Sequence, residues 1–416
     1  MTKLCAFEYR KMLAGRFPAC FIAAMLILNG ALFLRPWEAA DRALENTTRE
    51  YAGFYRYLDA LDDGAFSEQA DLFAAAMDPD AEPPPDLDLP GLVLPTRMDE
   101  IGARFYYFFR MRSLRQIPET RATYVENAIR FGALAIERGD AYAQRMNADV
   151  AARYSAAIYM RTADAPQGTP RSHVLSVFPP DGWAMFLGYE ADSLFVALIL
   201  LFLITRLHSV ERASGTTALI GSTPRGRRPV FIAKIIVTIC AGAAVSALFS
   251  LTQILMAAWR HGLWDPGASM MSHGISLGNF MEDIPVLFSR WQAALVFSLF
   301  KIAGAVCFAA VFGAIAHFLR GGLPSMLAGA IWPGASFLYH ELLYTNADLP
   351  YGLRLLPDVT LWSRPSGLLS AYRAANVFGH PVQWEWLCLA LWSLLAAASA
   401  FIVLRSRRAR ERISRA

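Results

Sequence analysis

The chain returns six times to an apolar run of about twenty residues, near 17–35, 186–206, 230–257, 292–318, 323–343 and 386–405. A helix rises about 1.5 Å per residue, so roughly 20 residues cross a hydrocarbon core of about 30 Å. Lipid offers the backbone no hydrogen bonds, so such runs must satisfy their own amides as helices. Charged residues are 18% of the 416, against about 25% in soluble domains, and the deficit coincides with the runs. The sequence therefore predicts an all-α integral membrane protein with six transmembrane helices. The fifth run holds Gly329, Pro333 and Gly334 and is expected to be interrupted, since neighbouring helices can satisfy the freed backbone groups. The first run has the position of a signal-peptide h-region. However, FIAAMLILNGALFL is long for one, and Arg35-Pro36-Trp37 follows in place of a small-residue cleavage site. An uncleaved anchor is the expectation.

Basic residues flanking the runs set the orientation, because they collect on the cytoplasmic side. Lys3, Arg10, Lys11 and Arg16 precede the first run. Arg206, Arg212, Arg225, Arg227 and Arg228 lie between the second and third. Arg405, Arg407, Arg408, Arg410, Arg412 and Arg415 follow the last. Six crossings place all three groups on one side, with the short turn at Arg320, so both termini are expected in the cytoplasm. The chain then divides into an interfacial helix and first span (1–36), an extracytoplasmic insertion (37–182), and spans two to six (183–416) with a cytoplasmic loop at 206–229 and a basic tail.

The insertion is acidic. From Asp59 to Glu100 its only arginine is Arg97. Leu44, Tyr51, Phe54, Tyr55 and Leu58 recur at helical spacing. AEPPPDLDLPGLVLP breaks the pattern, MDEIGARFYYFFRMRSL resumes it, and 119–160 reads as two helices joined near Gly139-Asp140. Its aromatic residues suffice for a packed core, so a mainly helical domain is expected rather than disorder. It is either a surface facing a substrate or partner, or a helical cap. Two further external loops, 258–291 and 344–385, carry Trp259, Trp264, Trp291, Trp362 and Trp384, which suit an interfacial aromatic belt. The segment 361–378, with SGLLSAYRAANVF, is expected to be amphipathic and to lie on the membrane or dip into it.

Catalytic signatures are missing. The sequence has no G-x-x-x-x-G-K-[ST], H-E-x-x-H, G-x-S-x-G or dinucleotide fingerprint. Cys5, Cys20, Cys240, Cys307 and Cys388 lie in or beside apolar runs, with no Cys/His pairing suited to zinc and no disulfide framework for the insertion. Neither enzyme activity, a metal site nor a bound cofactor is expected. His317 and His340 sit near span ends, where packing is the simpler role. The basic clusters adjoin spans, so anionic lipid headgroups explain them better than nucleic acid. Four polar residues fall in or near spans: Asn29, Lys301, Glu190 and Asp192. Charge in hydrocarbon is costly and marks function by default. For Lys301 the candidate partners are Glu190, Asp192 and Glu341, and the alternatives are a snorkelling lysine or a structural ion pair.

The segment RLHSVERASGTTALIGSTPRGRRPVFIAK between the second and third runs carries more than charge. Its order is Glu211, Gly215-Thr216, Leu219-Ile220, Ser222-Thr223-Pro224-Arg225-Gly226-Arg227, then Lys234 entering the third run. This resembles the permease subunit of ABC-2-type ABC transporters, where an acidic residue, a Gly-Thr pair, a leucine-rich piece, Ser-x-x-x-x-Arg and a lysine follow the second span. Phe7-Glu8-Tyr9-Arg10-Lys11 looks like that family's interfacial helix before the first span, and the six-span layout with a large insertion resembles a bacterial branch. The motif covers about thirty residues of the chain.

The resemblance implies a multi-pass protein of the bacterial plasma membrane that pairs with a second permease subunit, identical or not, to form an export path. Separate ATPase subunits holding ATP and magnesium would dock on Phe7, Glu8, Arg10, Lys11, Glu211, Gly215, Thr216, Ser222, Arg225, Arg227 and Lys234. The alternative is a membrane sensor whose ectodomain binds a ligand and signals through the loop. An ordinary connector explains the arginines of 206–229 but not the order of its other residues.

Overall fold

A computed structural model of the protein describes residues 1–34, 56–57, 59–76, 115, 122–123, 125–156, 160–161, 164–169, 174–176, 181–189, 191–213, 227–270, 288–319, 321–345 and 374–413. These are mostly helical. Five helices among them are long and apolar enough to cross a membrane: Arg16–Phe33, Asp192–Val210, Pro229–Arg260, Arg290–Phe318 and Glu385–Arg405. This is the architecture of an all-α membrane protein.

In chain order the helices are α1 (Thr2–Leu13), α2 (Arg16–Phe33), α3 (Asp63–Ala76), α4 (Ala141–Ala156), α5 (Asp181–Gly188), α6 (Asp192–Ala213), α7 (Arg227–Arg260), α8 (Arg290–Phe318), α9 (Gly322–Thr345) and α10 (Trp384–Ile413). Two small sheets accompany them. β1 (Met160–Arg161) pairs in parallel with β2 (Val174–Leu175), and β3 (Ala374–Val377) forms an antiparallel hairpin with β4 (His380–Gln383).

The centre of the bundle is α8. Its buried residues, among them Ala293, Phe297, Phe300, Lys301, Gly304, Ala305, Phe308, Ala309, Phe312 and Ala316, cover most of its circumference, as expected of a helix enclosed by others. α7, α10, α6 and α9 pack around it. Phe308 and Phe312 stack, and Phe308 meets Trp332 of α9 edge-on. Phe300 meets Trp392 of α10. Outward faces stay apolar: Leu248, Leu251 and Leu255 on α7, Leu295 and Leu299 on α8, and Leu323, Leu327 and Ile331 on α9 are all exposed. Rows of this kind suit lipid, because an aqueous surface would interleave charge.

Contacts between ends fix the helix directions. Arg206 donates to the carbonyl of Ala14, Lys234 Nζ to that of Leu207 at 3.5 Å, and a Cβ at Gly322 would lie 3.4 Å from Thr205. The starts of α2, α7 and α9 and the end of α6 therefore gather at one end, which carries the arginines. At the opposite end Arg260 donates to the carbonyl of Leu34. Trp259, Trp291 and Trp386 are exposed there, at the end of α7 and the starts of α8 and α10. Trp264 departs from the expected belt. It turns inward, its indole donating to His261 O at 3.1 Å while its own carbonyl accepts from Trp183 and Arg290.

Three expectations are corrected and one is described only in part. The second apolar run is not one helix from 186: α5 ends at Gly188 and α6 starts at Asp192, and Tyr189 and Asp192 at the break are buried. The fifth run is continuous helix from Gly322 to Thr345 through Pro333. Prolines kink helices that packing holds in place, and Gly329 packs against Phe312 and Leu201. It is not among the five helices that qualify as spans. The end of the amphipathic segment, Ala374–Val377, is a strand, and residues 361–373 lie outside the described residues. The connector between the second and third runs is shorter than 206–229, because α6 extends to Ala213 and α7 begins at Arg227.

In the insertion, helix covers 125–137 and α4, joined at Gly139 with φ +68°, and Asp140 accepts the Ala143 amide at 2.9 Å as a cap. Of the helix expected over 39–61 only 56–57 and 59–61 are described, with 56–57 and 59–60 helical; the helix expected over 98–114, and residues 346–373, lie outside the described residues. The insertion does not stand alone: Tyr142 donates to Ala374 O at 2.8 Å and Arg145 to Gly379 O at 2.7 Å. The Ser176 hydroxyl reaches Asp265.

α5 approaches the loop after α7 so closely that a Cβ on Gly182 would overlap the backbone carbonyl of Gly262 and crowd Leu263. Gly262 itself sits at φ +78°, so the loop has little room to retreat. Gly182→Ala is expected to cost about 1–3 kcal/mol, read as a lower thermal-unfolding midpoint of detergent-solubilised protein.

Candidate functional site

Two places combine the residues that sequence reasoning singled out. The first is the basic end. α1 is a twelve-residue helix laid against α6 and α7. Met12 is 1% exposed and joins the apolar core with Leu207. Gly15, at φ +86°, reverses the chain into α2, a conformation glycine adopts without strain. Phe7, Tyr9 and Arg10 face outward. Glu8 does not: it is 1% exposed and takes a 2.6 Å ion pair from Lys11. A docking role for the Glu8 carboxylate therefore conflicts with its geometry, since a buried, paired carboxylate is not open to a partner. Its place in the helix follows from spacing, because Glu8 and Met12 are one turn apart on the inner face.

Lys234 is likewise buried, at 3% exposure, on the first turns of α7. An apolar cleft between α6, α7, α8 and α10 has His208, Phe231, Lys234, Gly313 and Val403 among its lining. His317 stands edge-on to His208 at 6.3 Å and to Phe231 at 5.1 Å, the packing role expected of it. Glu211 lies in the last turn of α6 and Arg227 in the first of α7. Gly215, Thr216, Ser222 and Arg225 lie outside the described residues.

The second place is a buried charge cluster towards the opposite end. Lys301, eleven residues into α8, is 3% exposed. Its ammonium donates to Asp192 Oδ1 at 2.9 Å, to Asp192 Oδ2 at 2.8 Å and to Tyr189 O at 3.1 Å. The Phe297 ring centroid lies 4.6 Å away, within cation–π range. Asp192 is thus the partner of Lys301 among the three candidates. Glu190 lies outside the described residues, as does the side chain of Glu341.

The break between α5 and α6 explains why the pair forms here. Asp192 occupies the first turn of α6, where the positive end of the helix dipole favours an anion. Tyr189 follows the last turn of α5, so its carbonyl is one of the orphan acceptors that a helix C-terminus leaves, and a cation suits it. The ion pair closes both ends of the break.

Asn29 joins this cluster. It is fully buried on α2 and accepts the Tyr189 hydroxyl through its side-chain oxygen at 3.1 Å and its carbonyl at 3.3 Å. Phe33 meets the Tyr189 ring edge-on at 5.0 Å. Asn29, Asp192 and Lys301, distant in sequence, therefore share one site.

Sequence reasoning passes over Tyr189 in this cluster and, about three turns nearer the start of α8, the buried Arg290. Tyr189 reads as an ordinary span-end aromatic. Arg290 reads as a border residue, yet it is fully buried and donates to Trp264 O at 3.0 Å. Nothing in local sequence separates an arginine turned inward from one facing headgroups. Among the described residues no group of three His, Cys, Asp or Glu is placed to hold a metal.

Compared with known proteins, the chain matches no family model, no curated protein and no solved structure.

Proposed function

We propose that the chain is the transmembrane permease subunit of an ABC-2-type ABC transporter. It exports its cargo with energy from ATP hydrolysed on separate subunits and pairs with a second permease chain. One observation carries this most: α1, the end of α6 and the start of α7 are fastened together at the basic end. Met12 is buried in the same apolar core as Leu207, Arg206 donates to Ala14, and Lys234 donates to Leu207. A partner pressing on Phe7, Arg10, Glu211 or Arg227 would move two long helices as one. The order Glu211, Gly215-Thr216, Ser222, Arg225, Lys234 is the second support.

On this reading the basic end is cytoplasmic, in a bacterial plasma membrane, and α9 is the sixth crossing. Its 24 residues span about 36 Å at the helical rise. The insertion between α2 and α6 then faces outward, and the chain itself performs no chemistry.

The test is capture and turnover. An ATPase encoded beside this gene is expected to co-purify with the tagged chain and to hydrolyse ATP faster when bound. Glu211→Arg is expected to abolish that stimulation while membrane insertion stays intact. Undiminished stimulation in the variant would remove the coupling role of Glu211. Recovery of a kinase or response regulator in place of an ATPase would favour the sensor.

A further inference from the structure

More polar groups are buried beside the ion pair than it accounts for. Asn29 and Gln253 are fully buried and Ser250 is 5% exposed. Among the described residues Asn29 Nδ2, Ser250 Oγ and both amide atoms of Gln253 have no hydrogen-bond partner. Buried polar groups in folded proteins are nearly always paired, and lipid supplies no substitute.

The helix register puts these groups in one layer. α2 and α7 run in parallel: Arg260 meets Leu34, and a Cβ on Gly30 would lie 3.3 Å from Met256 Sδ. Asn29 is therefore level with Leu255. α7 and α8 run antiparallel: a Cβ on Gly242 would lie 2.9 Å from Ala305 O, and one on Gly313 3.1 Å from Thr238. Lys301 is then level with the turn Ser246–Ser250, and Phe297 with the next turn, which holds Gln253. Gln253 follows Gly242 by eleven residues, about three turns, and so repeats its direction, into the seam with α8. Asn29, Tyr189, Asp192, Ser250, Gln253 and Lys301 fall within about two and a half turns, beginning about one turn below the end of α7. They come from α2, the α5–α6 break, α7 and α8.

We propose that this layer is a polar subsite on the cargo path. In a second arrangement of the bundle it opens to water through the α5–α6 break, and it takes a neutral hydroxyl- or amide-bearing group. The chemistry follows from what is spare. Lys301 and Asp192 neutralise each other, so among the described residues of the layer a charged group would find no counter-ion. The unused atoms are amide N–H donors, an amide oxygen and a hydroxyl, which match a group that both donates and accepts. The proposal rests on the permease reading for the word cargo, and on the geometry for the layer.

The experiment is thiol labelling in native membranes, with Cys5, Cys20, Cys240, Cys307 and Cys388 replaced by serine or alanine. Gln253→Cys and the near-isosteric Ser250→Cys are labelled with a charged, membrane-impermeant methanethiosulfonate. Leu255→Cys, on the exposed face of α7, is the control. The two layer cysteines are expected to react at least tenfold faster than the control, and equal rates would overturn the layer. Octyl glucoside below its micellar concentration is expected to slow labelling severalfold, whereas octyl phosphate and octyltrimethylammonium are not. Equal protection by a charged probe would overturn the neutral-group assignment, and no protection by any probe would overturn it by leaving water as the sole occupant. Depleting ATP separates the two readings: fast labelling that ignores ATP keeps the layer and sinks the permease.

Discussion

Lys301→Met is expected to destabilise the protein by about 3–5 kcal/mol, because removing one partner of a buried ion pair leaves the other charge uncompensated. Both side chains are 3% exposed, so solvent screening gives little relief. The abandoned Asp192 keeps the α6 dipole but loses the contacts at 2.8 and 2.9 Å. The Tyr189 carbonyl loses its donor as well. Asp192→Leu is expected to cost as much, since the ammonium then keeps only that carbonyl and the Phe297 ring. The double variant Asp192→Leu/Lys301→Met should recover most of the loss, because an apolar pair of similar volume often replaces a buried ion pair at no cost. Thermal unfolding of the four proteins in one detergent measures the cycle. Losses that simply add would show that the two charges do not depend on each other.

Gly242→Leu is expected to have the other large effect, a loss of about 3 kcal/mol or more and poor recovery of monodisperse protein. A bare Cβ at this position would already stand 2.9 Å from Ala305 O and 3.0 Å from Ala309 Cβ. Neither neighbour can swing aside: one is backbone within a helix, the other a methyl on it. A leucine must therefore part α7 from α8 along a seam that holds Ala241, Val245, Phe249, Ala305 and Ala309. In lipid such seams depend on close backbone approach through small residues, with no hydrophobic force between helices to restore them. Gly334→Ala is the matched control. Nothing lies within 4 Å of its Cβ position, so its midpoint should hold or rise slightly, as alanine favours helix over glycine. Equal behaviour of the two variants would refute close packing at Gly242.

The spans and the caps were legible because they are local. Apolar length alone marked Arg16–Phe33 to within two residues, and Gly139-Asp140 marked its turn, since backbone conformation and capping depend on neighbours in sequence. The break at 189–191 was not legible. Residues 186–206 are apolar enough for one helix, and the groups flanking the break, Tyr189 O and Asp192, are bonded by Lys301, more than a hundred positions away. The partner of Lys301 was narrowed to three carboxylates by sequence, and only packing chose Asp192. Pro333 misled for the converse reason: the sequence shows a breaker, whereas the contacts of Gly329 and Trp332 with α8 hold the helix together.

At the basic end the sequence supplied the order of residues from Glu211 to Lys234, and with it the functional expectation. It could not show that Glu8 turns inward onto Lys11 while Phe7 and Arg10 face out, because a helical repeat fixes which residues share a face but not which face is covered. By itself the sequence determined that the chain carries several long apolar helices suited to a membrane, roughly where five of them lie and which end is basic, because lipid penalises every unpaired charge and amide along the chain. Only the tertiary structure decided which buried charges meet, which polar groups are left spare and how closely the helices approach. Those depend on side chains from separate helices arriving at one depth, and no local rule encodes that depth.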